Sequence, residues 1–477
     1  LDRLGGAVLR TQTAFKSEGN HMARLFGTDG VRGVANTELD CQLAYRLGQA
    51  AAVFMGKTIV VGKDTRKSGD MLEAAVVAGV TSAGGDVLLA DIIPTPGVAL
   101  LTRELRADGG IVISASHNPP EYNGIKFFDA QGYKLPDAVE DEIEGFINAG
   151  GLEGAVARAC EQGEEASMPV GDAVGAAIRL EDACQIYIDH AVESIKAQGI
   201  DFSGMRIALD AGHGASSLTS SFALEALGAE VTVINDDFDG TDINVDCGST
   251  HLGPLSELMR ETGADVGIAH DGDADRVMLM APGGIEIDGD MVEAVCALDM
   301  KQRGCLPHDT VVSTVMANLG LTHAMRDAGI EVVQTKVGDR YVLECMREHG
   351  YAIGGEQSGH MIMLDYNSTG DGLMTACQFL AAVRRSGKPV AEAIKVMTRF
   401  PQTLINVRVK DKHALEGNEP IAQAIADAEA KMGDSGRVLV RVSGTEPLIR
   451  VMVEAEDAQM ADELAHAIAD TVTEQLA

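Results

Sequence analysis

Apolar residues follow the same order three times along the chain. Each time, a short run rich in β-branched residues precedes an Ala-rich stretch, and a glycine then introduces a second β-rich run. This order is typical of βαβ units in a parallel sheet, so the sequence predicts three α/β modules. The paired runs lie at 58–61 and 85–89, at 206–209 and 228–233, and at 310–312 and 329–333.

A third apolar run completes each module, and reactive side chains follow it. These runs lead into Ser116, Asp271 and Glu356. Open α/β sheets bind ligands beyond the carboxyl ends of their strands, so we expect three functional loops at equivalent points. The alternative is that the repetition reflects the fold alone, because α/β proteins repeat βαβ units regardless of their function.

The pattern changes after about residue 396. Alternating residues at 404–409 and 438–442, with a further run at 448–453, predict strands of a smaller α+β domain. We therefore expect domains at 22–175, 176–277, 278–396 and 397–477. Residues 1–21 read as an extension or a cloning remnant before a start at Met22.

Composition narrows the class of protein. A chain of 477 residues with 45% hydrophobic content is a multidomain globular protein. Its formal net charge of −34 argues against nucleic acid and anionic membranes as partners. Anionic small molecules can still bind where a few cations and backbone N–H groups converge.

Cysteines and apolar runs indicate the compartment. The eight cysteines contain no C-x-x-C pair, which disfavours a zinc site or a disulfide framework and fits a reducing cytosol. No apolar run is long enough to span a membrane, and residues 1–21 lack a secretory h-region. We expect a cytoplasmic protein.

The first loop, 114–120, presents Ser116 beside His117 in a turn restricted by proline. Such a serine is placed for nucleophilic work, although an ordinary polar turn explains these residues alone equally well. The second loop alternates Asp271, Asp273 and Asp275, whose oxygens suit Mg²⁺. A calcium EF-hand is excluded, because its sixth and twelfth positions would be Arg276 and Pro282 instead of Gly and Glu.

The third and fourth loops offer groups for a sugar and for phosphate. Residues 354–360 mix donors and acceptors on a glycine-rich backbone, which suits sugar hydroxyls. Upstream cations at 336–340 either touch phosphate or lie in a solvated turn. Residues 441–450 combine hydroxyls, a glycine and two arginines, which is typical of an anion-binding nest, although a plain hairpin turn is the alternative.

Taken together, these residues resemble the α-D-phosphohexomutase superfamily from Met22 to the C-terminus. The match rests on the opening 25–33, on 114–119, on 355–360 and on 441–447, in the family's order. The opening and the sugar loop are similar to those members that act on glucosamine phosphates. The resemblance implies three mixed α/β domains and a C-terminal α+β phosphate-binding domain around one central cleft.

The resemblance also implies an isomerase that interconverts glucosamine 6-phosphate and glucosamine 1-phosphate, through a 1,6-bisphosphate intermediate. The product would feed amino-sugar nucleotide and cell-wall precursor synthesis. By family analogy, Ser116 carries a phosphoryl group, and one Mg²⁺ is held against it by Asp271, Asp273 and Asp275. Arg32 and Lys126 would lie near the transferring group, with Lys126 or His117 as the group that moves a proton.

The remaining roles implied by the resemblance concern binding. The sugar would contact Glu356, Ser358 and His360, and phosphate would contact Arg276, Arg441, Ser443, Gly444, Thr445 and Arg450. From the residues themselves, Lys336, Asp339 and Arg340 are further candidates for substrate binding. The expected partners are small sugar phosphates. The sequence leaves the assembly open, with a homodimer as the candidate.

Three other functions are compatible with parts of the sequence, and they differ in substrate or in reaction. A superfamily member that prefers mannose or glucose phosphates would keep the same mechanism, and Gln357 is the feature that argues against it. A sugar-phosphate sensor would need neither the serine nor the three aspartates. A magnesium-dependent phosphatase would have little use for a separate phosphate clamp.

Overall fold

The computed structural model describes residues 24–27, 29–443 and 447–477. The expected extension at 1–21 lies outside these residues. By their internal contacts, the residues divide into two compact units. The first takes in the chain through Val315 together with Val333–Ile394, and the second consists of Met316–Val332 and Lys395–Ala477.

The first sheet contains the first predicted module. Its elements are β1 (Val31–Val34), α1 (Cys41–Phe54), β2 (Thr58–Lys63), α2 (Gly69–Ser82), β3 (Asp86–Ile92), α3 (Thr95–Glu104), β4 (Gly109–Ile113), β5 (Tyr122–Asp129), α4 (Asp137–Asn148), α5 (Gly151–Glu161) and β6 (Ala177–Arg179). The strand order is β1-β5-β4-β2-β3-β6. Strands β2, β3 and β4 are parallel, as predicted, whereas β5 is antiparallel to both β4 and β1.

Two glycines set the packing of helices α1 and α2. A Cβ atom on Gly48 would lie 2.2 Å from Val76 O, and one on Gly79 would lie 2.0 Å from Tyr45 O. Any larger residue would force the helices apart, so the pair is fixed by close backbone approach. Helix α1 begins at the Asp40 cap, whose side chain accepts from Leu43 N.

The second sheet has the order β11-β10-β9-β7-β8. Its elements are α6 (Ala183–Lys196), β7 (Arg206–Asp210), α7 (Ser220–Ala226), β8 (Glu230–Ile234), α8 (Gly253–Thr262), β9 (Val266–His270), β10 (Val277–Ala281) and β11 (Ile285–Ile287). Strand β7 is parallel to β8 and β9, which confirms the second predicted module. Strand β10 turns back antiparallel to β9, so the residues between them form a tight loop.

The third sheet has the order β13-β12-β14-β15. Its neighbourhood in the chain comprises α9 (Gly289–Gln302), β12 (Thr310–Thr314), α10 (Leu319–Asp327), β13 (Glu331–Thr335), α11 (Asp339–His349), β14 (Ile353–Gly355), β15 (Met361–Met363), α12 (Gly372–Ser386) and α13 (Val390–Ala393). Strands β12 and β14 are parallel, and β14 and β15 form a hairpin whose turn is residues 356–360.

The second unit carries the C-terminal sheet. Its remaining elements are β16 (Gln402–Arg408), α14 (Glu419–Met432), β17 (Gly436–Val442), β18 (Leu448–Ala455) and α15 (Ala458–Leu476). All three strands are antiparallel in the order β16-β18-β17, which confirms the strands predicted there. Alternate residues of β18, including Ile449, Val451 and Val453, are buried in this unit's own core.

Among the described residues, every helix is too short or too polar to cross a membrane.

Candidate active site

Ser116 lies in a strained turn just beyond the buried strand β4. Its φ is +53°, a left-handed conformation that costs a non-glycine residue about 1 kcal/mol or more. The Ser116 amide donates to Ser114 Oγ at 2.9 Å, and Asn118 N donates to Ala115 O at 3.1 Å. The side chain is buried, so the turn places a hydroxyl inside the protein instead of at its surface.

The three predicted metal ligands occupy the tight loop between β9 and β10. One oxygen each of Asp271, Asp273 and Asp275 lies within 4.8 Å of the others, and all three side chains are buried. Asp273 Oδ1 is buried and has no hydrogen-bond donor among the described residues. Three buried carboxylates with a spare oxygen fit a hard divalent cation such as Mg²⁺.

The serine and the acidic loop meet directly. Ser116 Oγ donates to Asp271 Oδ2 at 2.6 Å, and His117 Nδ1 lies 3.2 Å from the same Oγ. Burial, followed by the charges of Asp275 and Asp273, raises the pKa of Asp271 to about 8. The carboxylate cluster therefore carries more negative charge than its own surroundings offset, which favours binding of a cation.

Lys126 supplies one fixed positive charge to this cluster from strand β5. Its Nζ lies 2.8 Å from Asp273 Oδ2, 3.4 Å from Asp275 Oδ2 and 2.9 Å from Asp29 Oδ2. Burial alone would lower the pKa of Lys126, but these carboxylates outweigh it and raise the pKa above its ordinary value. The ammonium form is thus held in place among three acidic partners.

Cations also surround His117. Burial, then the charges of Arg276 and Arg32, lowers the pKa of His117 to about 4. Arg276 N donates to Asp271 Oδ1 at 3.2 Å, and its side chain lies beside Asp275, with 3.9 Å between Arg276 Nε and Asp275 Oδ1. The neutral imidazole leaves the two guanidinium groups as the positive charges near the serine hydroxyl, and these charges would stabilise the negatively charged oxygens of a phosphoryl group.

A chain of ion pairs joins the acidic loop to the third sheet. Arg32 pairs with Asp29, and Lys134 Nζ lies 2.6 Å from Asp29 Oδ1 and also contacts Asp339. The buried His360 continues this chain, since its Nε2 lies 3.4 Å from Asp339 Oδ2 and its Nδ1 lies 3.7 Å from Asp275 Oδ1. Burial would lower the pKa of His360, but Asp275 and Asp339 outweigh it and raise the pKa.

The other predicted residues of the third module make different contacts. Glu356 Oε1 accepts from Gly338 N at 3.1 Å, and Ser358 is exposed at the tip of the β14–β15 turn. Lys336 lies over the Tyr341 ring, 5.8 Å from its centroid. Arg340 donates to Glu140 Oε1 at 2.9 Å and also pairs with Asp137, so this guanidinium contacts α4 rather than the three aspartates.

In the second unit, predicted phosphate-binding residues lie at the adjacent ends of β17 and β18. Arg441 lies opposite Arg450 in the sheet register, and burial together with the Arg450 charge lowers the pKa of Arg441. Lys412 Nζ donates to Ser443 O at 2.7 Å. The two facing guanidinium groups favour an anion. Gly444 and Thr445 lie outside the described residues.

Several residues of the site were missed by sequence reasoning. Asp29 and Lys134 take part in the ion-pair chain, and Thr95 Oγ1 donates to Asp273 Oδ2 at 2.6 Å. Arg66 and Asn244 bind the backbone of the Ser116 turn. Of these five residues, only Asp29 belongs to a motif that carries the family resemblance, the opening 25–33, so only Asp29 could have been proposed as a site residue from the sequence.

The match to family models covers most of the chain. The three α/β/α domains and the C-terminal domain of phosphoglucomutase/phosphomannomutase match residues 23–153, 185–284, 288–400 and 404–471. With the fold and the serine–aspartate site, this places the chain in the phosphoglucomutase/phosphomannomutase family.

Within that family, the chain is similar to phosphoglucosamine mutases. It is 49% identical to the phosphoglucosamine mutase of Heliobacterium modesticaldum over 94% of this chain and 99% of that one. It is 50% identical to the phosphoglucosamine mutase of Symbiobacterium thermophilum over 95% of this chain and 100% of that one.

Solved structures share the fold. A phosphoglucomutase/phosphomannomutase family protein from Burkholderia thailandensis has a TM-score of 0.76 at 24% identity, over 95% of this chain and 98% of that one. N-acetylphosphoglucosamine mutase of Aspergillus fumigatus, solved in complex with GlcNAc-6P and magnesium, has a TM-score of 0.68 at 17% identity, over 99% of this chain and 98% of that one.

Proposed function

We propose that this chain is a phosphoglucosamine mutase that interconverts D-glucosamine 6-phosphate and α-D-glucosamine 1-phosphate. The observation that carries the proposal is the hydrogen bond from Ser116 Oγ to Asp271 inside a buried three-aspartate cluster. Its substrate class is supported by relatives of that name at about half identity over nearly the whole chain. The product serves the synthesis of amino-sugar nucleotides and cell-wall precursors.

Ser116 is the group that carries phosphate between turnovers. In the first half-reaction, the P–O bond to Ser116 Oγ breaks and a P–O bond to the free hydroxyl of the sugar phosphate forms, which gives glucosamine 1,6-bisphosphate. The sugar hydroxyl gives up its proton to a base as the new bond forms, and Ser116 Oγ takes up a proton as its P–O bond breaks. In the second half-reaction, the bisphosphate returns its other phosphoryl group to Ser116 Oγ, so phosphate is conserved and serine is regenerated in its phosphorylated form.

Ser116, Asp271, Asp273 and Asp275 are the residues that would hold Mg²⁺. When bound, the ion neutralises charge on the phosphoryl oxygens and helps to align them. The fit rests on the chemistry of the donor set and on the spare, buried Asp273 Oδ1. Arg32 and Arg276 add fixed positive charge near the serine, as their effect on His117 indicates.

Proton transfer falls to one of two groups. His117 Nδ1 lies 3.2 Å from Ser116 Oγ, which is within hydrogen-bond reach of the reacting oxygen. Lys126 lies against Asp273 and Asp275, and its ammonium group can give a proton to the departing Ser116 oxygen but cannot accept one. Both residues stay candidates, and a His117→Asn variant beside a Lys126→Gln variant would separate their contributions to the pH–rate profile.

Substrate binding is assigned by family analogy. We propose that Glu356, Ser358 and His360 bind sugar hydroxyls or the amino group. Phosphate contacts are proposed for Arg441, Ser443, Gly444, Thr445 and Arg450, and substrate binding without a more specific role is proposed for Lys336, Asp339 and Arg340. The Arg441 and Arg450 pair has the most direct support, because two guanidinium groups at facing positions of β17 and β18 can offer charge-assisted hydrogen bonds to one anion.

The remaining proposals concern context. We infer domain boundaries at 22–175, 176–277, 278–396 and 397–477. A cytoplasmic location is supported by eight cysteines that are all free thiols. Sugar phosphates are the proposed partners, without nucleic acid or membrane, and a homodimer is the assembly to test.

The deciding experiment compares substrates on the full chain with Mg²⁺. We expect kcat/KM for glucosamine 6-phosphate to exceed that for glucose 6-phosphate and mannose 6-phosphate by about 100-fold, roughly 2.7 kcal/mol of transition-state discrimination. Equal or reversed preference would move the activity to glucose or mannose phosphates.

Intact mass should show one phosphoryl group on the active enzyme and none on a Ser116→Ala variant, which should be inactive. Steady phosphate release at the mutase rate would instead indicate a phosphatase.

A further inference from the structure

Four backbone carbonyl oxygens of the Ser116 turn converge on one guanidinium group. Arg66 NH2 donates to Ser116 O at 2.9 Å and to Asn118 O at 2.7 Å. Arg66 NH1 donates to Pro119 O at 2.5 Å and to Tyr122 O at 3.1 Å. Four carbonyl dipoles that point at one place repel each other, so this arrangement requires a positive group between them.

The remaining N–H donor of the Arg66 guanidinium also has a hydrogen-bond acceptor. Its Nε donates to Asp64 Oδ2 at 2.9 Å, so all five N–H donors of the guanidinium have an acceptor. Both side chains are fully buried. The Ser114 side chain hydrogen-bonds to Asp64, and Ser114 Oγ accepts from Ser116 N at 2.9 Å. The peptide groups on both sides of the Ser116 α-carbon are therefore tied, directly or through one hydroxyl, to the Arg66–Asp64 pair.

A residue from the second sheet's loops reaches the same carbonyl groups. Asn244 Nδ2 donates to Ser116 O at 2.9 Å and to Asn118 O at 3.2 Å. The same amide touches the acidic loop, because a Cβ atom on Gly272 would lie 2.9 Å from Asn244 Nδ2. Asn244 thus lies between the turn that carries the serine and the loop that carries the three aspartates.

We propose that Arg66 and Asn244 are positioning residues for phosphoryl transfer. They hold the left-handed backbone of Ser116 so that its Oγ points at Asp271, and they keep the serine turn in register with the acidic loop. Neither side chain hydrogen-bonds to Ser116 Oγ itself, so both act through the backbone. The proposal rests on the phosphoserine mechanism given above, and it assigns to Arg66 a geometric role that its charge alone would not fill.

The test uses the full chain, phosphorylated on Ser116 and supplied with Mg²⁺. Single-turnover transfer of the phosphoryl group to glucosamine 6-phosphate isolates the step that the geometry controls. Arg66→Lys keeps the positive charge but offers three donors without the planar fork. We expect transfer to slow about 100-fold in Arg66→Lys and about tenfold in Asn244→Ala, while KM changes less than about threefold.

Matched variants separate positioning from general stability. Arg385 also makes charge-assisted bonds, to Asp299 and Gln198, but it contacts neither loop of the site. Arg385→Lys should lower the melting temperature without slowing transfer by the folded enzyme. Should Arg66→Lys yield no folded protein, Asn244→Ala decides the matter, since its half-buried amide can be removed without opening the core.

Unchanged transfer rates in the folded variants would overturn the proposal. A larger KM with an unchanged rate would do the same, because that pattern belongs to a binding residue. Failure of the proposed function has a different signature. In that case, the wild-type chain itself would neither carry phosphate on Ser116 nor transfer it.

Discussion

Ser116 Oγ and Asp271 Oδ2 lie 2.6 Å apart although 155 residues separate them in the chain. The contact joins the turn after β4 of the first sheet to the loop after β9 of the second. Both loops follow buried strands at the carboxyl edge of their sheets, where ligands bind in folds of this kind. The proposed nucleophile and the proposed metal ligands are thereby brought together by topology as well as by side-chain chemistry.

The first prediction concerns that acidic loop. Asp271→Asn removes one negative charge from a three-carboxylate donor set, so Mg²⁺ affinity should fall by at least about tenfold. Titration calorimetry of Mg²⁺ on the full chain without substrate measures the loss. Asp237→Asn is a matched control, because its side chain is 92% exposed and lies outside the triad. Equal affinity in wild type and Asp271→Asn would place the ion elsewhere.

The second prediction concerns Lys126. Lys126→Met leaves Asp29, Asp273 and Asp275 without their shared cation, and breaking a buried ion pair in this way costs about 3–5 kcal/mol of unfolding free energy. Mg²⁺ neutralises the same carboxylates, so it should raise the melting temperature more in the variant than in wild type.

Urea unfolding with and without Mg²⁺ checks both parts of that prediction. Lys301→Met is the control, because Lys301 is 30% exposed and pairs with Asp309 at the surface. Such a surface ion pair contributes about 0–1 kcal/mol to the free energy of unfolding. A Lys126 variant as stable as this control, with no extra response to Mg²⁺, would contradict the electrostatic account of the site.

Glu293 provides a prediction on pH. This carboxyl group is buried in α9, and burial followed by the charge of Asp290 raises its pKa well above the ordinary value, only partly offset by Ser313. The folded state therefore keeps a proton that the unfolded state releases above pH of about 4.3, so stability falls as pH rises beyond that point.

Glu293→Gln removes this proton linkage while it preserves the side-chain shape. We expect the variant to gain at least about 1 kcal/mol over wild type when the pH is raised from about 5 to about 8. Urea unfolding at both pH values measures the difference. The exposed Glu286→Gln variant should show no such gain, and parallel pH profiles of wild type and Glu293→Gln would mean that Glu293 is ionised in the fold.

The strands followed from the sequence pattern, and one central cleft shared by the loops followed from the family resemblance. β-Branched runs separated by helical stretches predict a parallel sheet, and the carboxyl ends of such strands share one edge. Loops that end the third run of separate modules could therefore be expected to carry the chemistry. Local pattern made Ser116 and the three aspartates candidates in this way, and the family resemblance supplied the roles proposed for them.

Other contacts depend on distances that no local pattern contains. Arg66, which precedes Ser116 by 50 residues, and Asn244, which follows it by 128 residues, both donate hydrogen bonds to the Ser116 carbonyl oxygen. Arg340 follows a promising turn, yet its guanidinium contacts Glu140 of α4, 200 residues away. A charge on a loop indicates that an ion pair will form, but only the packed fold decides with which partner.

The last prediction concerns the phosphate contacts of the second unit. Arg441 and Arg450 face each other on β17 and β18, and the Arg450 charge helps to lower the pKa of Arg441. An anion bound by both guanidinium groups would gain charge-assisted hydrogen bonds, each contributing about 1.5–3 kcal/mol. Arg441→Gln should therefore raise KM for glucosamine 6-phosphate by about tenfold or more. Lys431→Gln on the exposed surface of α14, which packs on the opposite face of the sheet, should leave KM unchanged. Phosphorylation of Ser116, read by intact mass, should be the same in both variants, because the reacting group is held by the first unit. A KM unaffected by Arg441→Gln would remove these arginines from the binding of the non-reacting phosphate.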